Sequence, residues 1–168
     1  MTDLHVVVPG NPDTRTGGFI YDRRIVAELR GLGLDVEVHA LPDGWPIAGA
    51  RAIAAAEAAL ERLPDGASVM IDGLALGVLP RLAARESGRL TLIALIHHPL
   101  AEETGLDPAE RARLFESERD ALGQVHHVVA TSAFTAQGLV DYGVTQDHLT
   151  VIPPGVEPAE LAVGSGRA

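Results

Sequence analysis

The chain has 168 residues, 46% of them hydrophobic and 4% aromatic, with a formal charge of −10 and no cysteine. That length fits one domain with an aliphatic core, and the missing thiols exclude disulfides and thiolate metal sites. The acidic balance speaks against nonspecific binding to nucleic acid or anionic lipid, which selects clustered bases. All 13 basic residues are Arg, so a Schiff-base lysine and a phosphate-loop lysine are also excluded. No apolar run reaches the roughly 18 residues of a membrane span. The N-terminal residues carry no positive charge before the first apolar run, so no signal peptide is expected.

Apolar periodicity predicts short strands alternating with longer helices. Residues 4–8 form a nearly continuous apolar run, as in a buried parallel strand. A helix is expected over 17–33, with Ile25, Val26, Leu29 and Leu32 on one face and Gly31 and Gly33 as stop signals. A strand over 35–41, an Ala-rich helix over 48–63 and a strand over 68–71 follow. Residues 74–86 read as a helix weakened by Gly77 and Pro80, and 90–96 as the central fourth strand. Asp107, Pro108 and Glu110 make a capping box that starts a helix running to about Leu122. The fifth strand is expected at 127–130. Ser132 is placed to cap a helix over 133–142 that ends at Gly143, and the last strand spans 149–152. This order predicts an α/β, Rossmann-like parallel sheet of about six or more strands with helices on both faces.

Ligands of open α/β sheets bind at the carboxyl ends of the strands, so those loops are the ones to read for chemistry. The first, residues 9–18, lacks the G-x-G-x-x-G spacing of a dinucleotide turn. Gly17 and Gly18 open the next helix instead. Two residues without Cβ let a diphosphate approach the helix N-terminus, or simply relieve a turn. His97 and His98 follow the fourth strand. Adjacent extended residues point to opposite sides, so the pair is a poor metal site. A neutral imidazole there can donate to a sugar hydroxyl or move a proton, or be a satisfied loop histidine. Glu102 and Glu103 lie in the same loop, as solvated surface or as ligands of acceptor hydroxyls. Asp72 ends the third strand as a turn residue or a polar contact to substrate. Ser132 is a helix cap within reach of a ligand. Trp45, in the 41–47 loop, either stacks on a sugar ring or caps the core. His126 and His127 sit at the amino end of their strand and receive no role.

Four features occur in a fixed order: the Gly17-Gly18 pair, His97, Thr131-Ser132-Ala133-Phe134-Thr135, and Val151-Ile152-Pro153-Pro154-Gly155-Val156-Glu157. Over about residues 4–158 this resembles the N-terminal domain of a GT-B fold retaining glycosyltransferase of family 4. The resemblance implies that residues 1–158 bind the acceptor and line one wall of an interdomain cleft. It implies Gly17 and Gly18 beside the donor diphosphate, and His97 beside the transferred sugar as the catalytic residue. His98, Glu102, Glu103, Asp72 and Ser132 are then the acceptor- or sugar-side candidates. Family members transfer sugar from a nucleotide-sugar with retention, generally without metal. The leaving diphosphate takes the acceptor proton. No cofactor is therefore expected, and the acceptor is a sugar, lipid or small molecule.

The second domain, with its basic clamp and E-x7-E motif, is absent from this sequence, and 159–168 reads as a linker or terminal tail. The isolated chain is accordingly expected to be inactive and to self-associate through its exposed interdomain face. The implied location is cytoplasmic, or peripheral to the inner face of the membrane. The alternative is a stand-alone binding module or subunit that pairs with a separate donor-binding chain. A nicotinamide-dependent dehydrogenase is disfavoured by the missing G-x-G-x-x-G, and a phosphoacceptor receiver domain by the lack of lysine.

Overall fold

The structure, a computed structural model, describes residues 2–156. The predicted features at Glu157 and in the 159–168 tail lie outside the described residues. Six parallel strands form one sheet in the order β2-β1-β3-β4-β5-β6: β1 Leu4–Val8, β2 Val36–Ala40, β3 Ser68–Asp72, β4 Thr91–Ile96, β5 His127–Ala130 and β6 Leu149–Val151. All five pairings are parallel, as the near-continuous apolar runs predict. Between them run α1 Gly17–Gly31, α2 Ala50–Glu61, α3 Gly73–Leu76, α4 Pro80–Glu86, α5 Pro108–Leu122 and α6 Ala133–Gly138.

The two faces of the sheet are covered unequally. Val7, Val69, Ile71, Leu92, Ala94, Val128 and Ala130 pack against residues of α2 through α6. The alternate residues Val6, Val8, Met70, Leu95 and Val129 join Tyr21 and Val26 of α1. This is the period-two alternation of a strand buried on both sides.

Four predicted helices differ in extent, α2 among them, which covers Ala50–Glu61 within the expected 48–63. The 74–86 helix is two, α3 and α4, because Pro80 cannot continue a helix and instead starts α4 at its first turn. Gly77, at the break, has no room for a side chain: a Cβ there would lie 2.6 Å from Leu100 Cδ1 and 3.2 Å from Glu118 Cγ. The 133–142 helix is α-helical only to Gly138 and continues as a 3-10 turn over Leu139–Tyr142. The α1 helix stops at Gly31, two residues short of its predicted end. The predicted capping box of α5 is present, with the Asp107 carboxylate accepting from Ala109 N and Glu110 N at 2.8 Å.

Strand order reverses at β1: the chain goes outward to β2 and returns to β3 on the other side. The carboxyl ends of β1 and β3 therefore diverge into a crevice, where open α/β sheets bind ligands.

Candidate functional site

Three charged side chains from three elements meet at this crevice. His97 immediately follows β4, Asp72 is the last residue of β3, and Asp22 lies on the second turn of α1. His97 Nε2 is 3.0 Å from Asp22 Oδ1 and 3.4 Å from Asp72 Oδ2. Both carboxylates are buried, and the imidazole retains 23% exposure. Tyr21 packs its ring edge-on to the imidazole, with centroids 5.2 Å apart. The Tyr21 hydroxyl donates to the Ile152 carbonyl at 2.7 Å, which ties the segment after β6 to α1.

Burial pushes the His97 imidazole down. Its bonds to Asp22 and Asp72, with their charges, more than offset this and raise it to about 9. At neutral pH the ring is an imidazolium, not the neutral donor expected from sequence. It therefore donates charge-assisted hydrogen bonds to the two carboxylates. Nε2 faces the carboxylates, and Nδ1 has no partner among the described residues. Burial also pushes the Asp22 carboxyl up; the His97 bond opposes this and the Asp72 charge adds to it. Asp22 Oδ2 is buried without a hydrogen-bond partner.

The two glycines stand next to this cluster. Thr16 caps α1, accepting from Phe19 N, and the first helical bond runs from Ile20 N to the Thr16 carbonyl. The Gly17 and Gly18 N–H groups are left without partners among the described residues, and they carry the positive end of the helix dipole. Neither glycine has a positive φ. A Cβ on Gly18 would meet only the His97 ring, at 3.6 Å or more, and one on Gly17 would meet nothing within 4 Å. The local backbone therefore does not require glycine at either position. Residues 153–156 face Gly17, Ile20 and Tyr21 across a groove of about 540 Å³.

The other candidates divide by environment. Asp72 is buried rather than open to a ligand: its Oδ1 accepts from Leu74 N at 2.7 Å, capping α3, while Oδ2 faces His97. Ser132 caps α6 through Thr135 N at 3.0 Å and donates to Thr135 Oγ1, which donates to the His97 carbonyl at 3.1 Å. Ser132 thus positions His97 through Thr135. His98 is exposed, and its Nδ1 lies 4.0 Å from Glu102 Oε2. Glu102 and Glu103 are exposed on the same loop. Trp45 packs on the core, and its Nε1 donates to the Pro42 carbonyl at 2.8 Å, so it caps the core.

Asp22 was not among the sequence candidates, although it completes the cluster. Asp22, Asp72 and His97 also offer three metal-ligating atoms within 4.8 Å of one another. A metal there would have to displace the proton that the two carboxylates favour on the imidazole.

Residues 3–160 match the family described as Glycosyltransferase Family 4. No curated protein matches the chain.

Proposed function

The chain belongs to glycosyltransferase family 4, and we propose that it is the acceptor-side half of a retaining, nucleotide-sugar-dependent transferase. The observation that carries this reading is the pairing at the crevice. Free amide N–H groups at Gly17 and Gly18 adjoin an imidazolium held by two buried carboxylates. Such a surface suits the side of a donor where negative charge develops as the glycosidic bond breaks.

Gly17 and Gly18 admit a diphosphate oxygen to the backbone. His97 donates from Nδ1 to a hydroxyl of the transferred sugar. Asp22 and Asp72 keep that ring charged and fix its plane. A charged His97 is not the acceptor's base, so the proton passes to the departing diphosphate, as in front-face retention without a metal. The 98–103 loop, with His98, Glu102 and Glu103, receives acceptor hydroxyls. The donor half is supplied by a further domain or a separate chain, and by itself this chain does not turn over. The protein works in the cytoplasm, free or against the inner membrane face; among the described residues no helix is long and apolar enough to cross a membrane.

The test is nucleoside diphosphate release from a panel of nucleotide-sugars. It is run with this chain alone, and with the donor half joined or added, with and without chelator. Release only when the donor half is present, unaffected by chelator and with anomeric retention, is the expected result. Turnover by the chain alone, inversion, or chelator-sensitive activity would each overturn the corresponding part of the reading.

A further inference from the structure

Far from the crevice, the outer pair of strands carries a second cluster that the transferase reading does not use. His5 on β1 and Glu37 and His39 on β2 share one face of the sheet, because His5 pairs with Glu37 and Val7 with His39. That is the face covered by α2, since Val7 of the same strand packs there. His5 Nδ1 and His39 Nε2 are 3.0 Å apart. The Glu37 carboxylate lies 3.5 Å from His5 Nδ1 and 3.9 Å from His39 Nε2.

Four donor atoms thus converge, with His5 Nδ1 and His39 Nε2 3.0 Å apart, Glu37 Oε2 3.5 Å from His5 Nδ1 and Glu37 Oε1 3.9 Å from His39 Nε2. Metal–ligand bonds of 2.0–2.1 Å in a tetrahedron put neighbouring donors about 3.3 Å apart, within the range of these separations. A shared proton accounts for the His–His contact, but it leaves the carboxylate facing two ring nitrogens without bonding closely to either. The imidazoles are largely buried, at 6% and 18% exposed, and Glu37 is open at 55%. The cluster borders a groove of about 820 Å³ whose wall includes Arg62 and Ser68. Two imidazoles and one carboxylate form a donor set for borderline metals rather than for calcium or magnesium.

We propose that His5, His39 and Glu37 form a binding site for a zinc-class divalent transition metal that clips the edge strand β2 to β1, with a fourth position open to the groove. The site is independent of the sugar-transfer reading. It lies on two adjacent parallel strands, one of them an edge strand with no other partner among the described residues. A metal there restrains an element that is otherwise held from one side only.

The test is zinc ion alone, titrated calorimetrically into chelator-stripped chain near neutral pH, with cobalt as a spectroscopic substitute. One zinc per chain, a raised thermal midpoint and tetrahedral cobalt absorption are expected. Because Asp22, Asp72 and His97 form a rival cluster, the variants must separate the two. His39→Asn and Glu37→Gln should each lower zinc affinity by more than the roughly 10–100-fold that loss of an outer-shell partner costs. Asp22→Asn should leave it unchanged. Glu37 is exposed, so Glu37→Gln reads out even if His39→Asn fails to fold. No binding by stripped wild-type chain, binding unaffected by Glu37→Gln, or binding lost in Asp22→Asn would overturn the proposal.

Discussion

The charge on His97 makes a quantitative prediction about stability and pH. An unfolded histidine titrates near 6.5, whereas in the folded chain His97 is raised to about 9. Because the folded value is the higher one, the stabilisation is fully present below 6.5 and is lost as pH rises through about 9. At about 1.4 kcal/mol per pH unit, the interval corresponds to about 3 kcal/mol. The ring is only 23% exposed, so solvent screening removes a small part of this. Asp22→Asn removes the nearer carboxylate at 3.0 Å and leaves Asp72 at 3.4 Å to work against burial. The His97 midpoint should then fall back toward 6.5, and most of the pH dependence of stability in that window should vanish. The assay is urea unfolding at intervals between about pH 6 and 9.5, paired with NMR titration of the His97 ring protons. A wild-type His97 midpoint near 6.5, or an Asp22→Asn chain with the wild-type pH profile, would refute the reasoning. In the joined transferase, the same substitution should lower kcat with little change in KM for acceptor.

Gly18→Ala separates fold from function. A helix prefers Ala, and nothing blocks the added Cβ, so unfolding should show no loss and a gain of up to about 1 kcal/mol. Donor affinity in the joined enzyme should nevertheless fall, and unchanged donor affinity would remove the glycines from the site. Glu118, buried on α5, accepts from Leu100 N at 2.8 Å and so anchors the loop that carries His98 and Glu102. Burial and the Glu102 charge push its carboxyl up to about 7, against the pull of the Leu100 bond. Its stabilisation is therefore present below the ordinary 4.5 and lost as pH rises through about 7. Glu118→Gln keeps an acceptor for Leu100 and should flatten that part of the profile. Glu118→Ala, which orphans a buried N–H, should cost about 1–3 kcal/mol by denaturant melt. Phe134, 75% exposed at the start of α6, belongs to the apolar surface expected to face a partner domain. Light scattering should show concentration-dependent association of the wild-type chain that Phe134→Asp weakens; a monomer at all concentrations would argue against that surface.

The sheet was legible because parallel strands buried on both faces leave uninterrupted apolar runs, and each run in this sequence became a strand within a residue or two. What blurred were helix ends, where tertiary contact decides. Periodicity alone would carry a helix through Gly77, but Leu100 and Glu118 press against that position from the loop after β4 and from α5. The local signal for the break is Pro80, while the contacts that keep position 77 a glycine lie far away in sequence. The same distinction runs through the site. His97 could be found because it is the first residue past a strand, and the topology puts such residues at the crevice. Its protonation could not, because that depends on what burial brings beside it.

Asp22 marks the boundary between the two kinds of information. It lies in the interior of α1, three, four and seven residues before Ile25, Val26 and Leu29, on the apolar face that packs against the sheet. A carboxylate there is a physical contradiction unless something compensates it, since an unpaired buried charge costs far more than one helix can return. The compensation comes from the end of β4, where His97 Nε2 lies 3.0 Å from Asp22 Oδ1. The Nε2 side of that ring faces Asp22 and Asp72, and Tyr21 of α1 packs against it. The misplaced acid in the helix and the lone histidine after the strand are therefore one feature, split by 75 residues. Read together, they account for the raised imidazole that neither suggests alone.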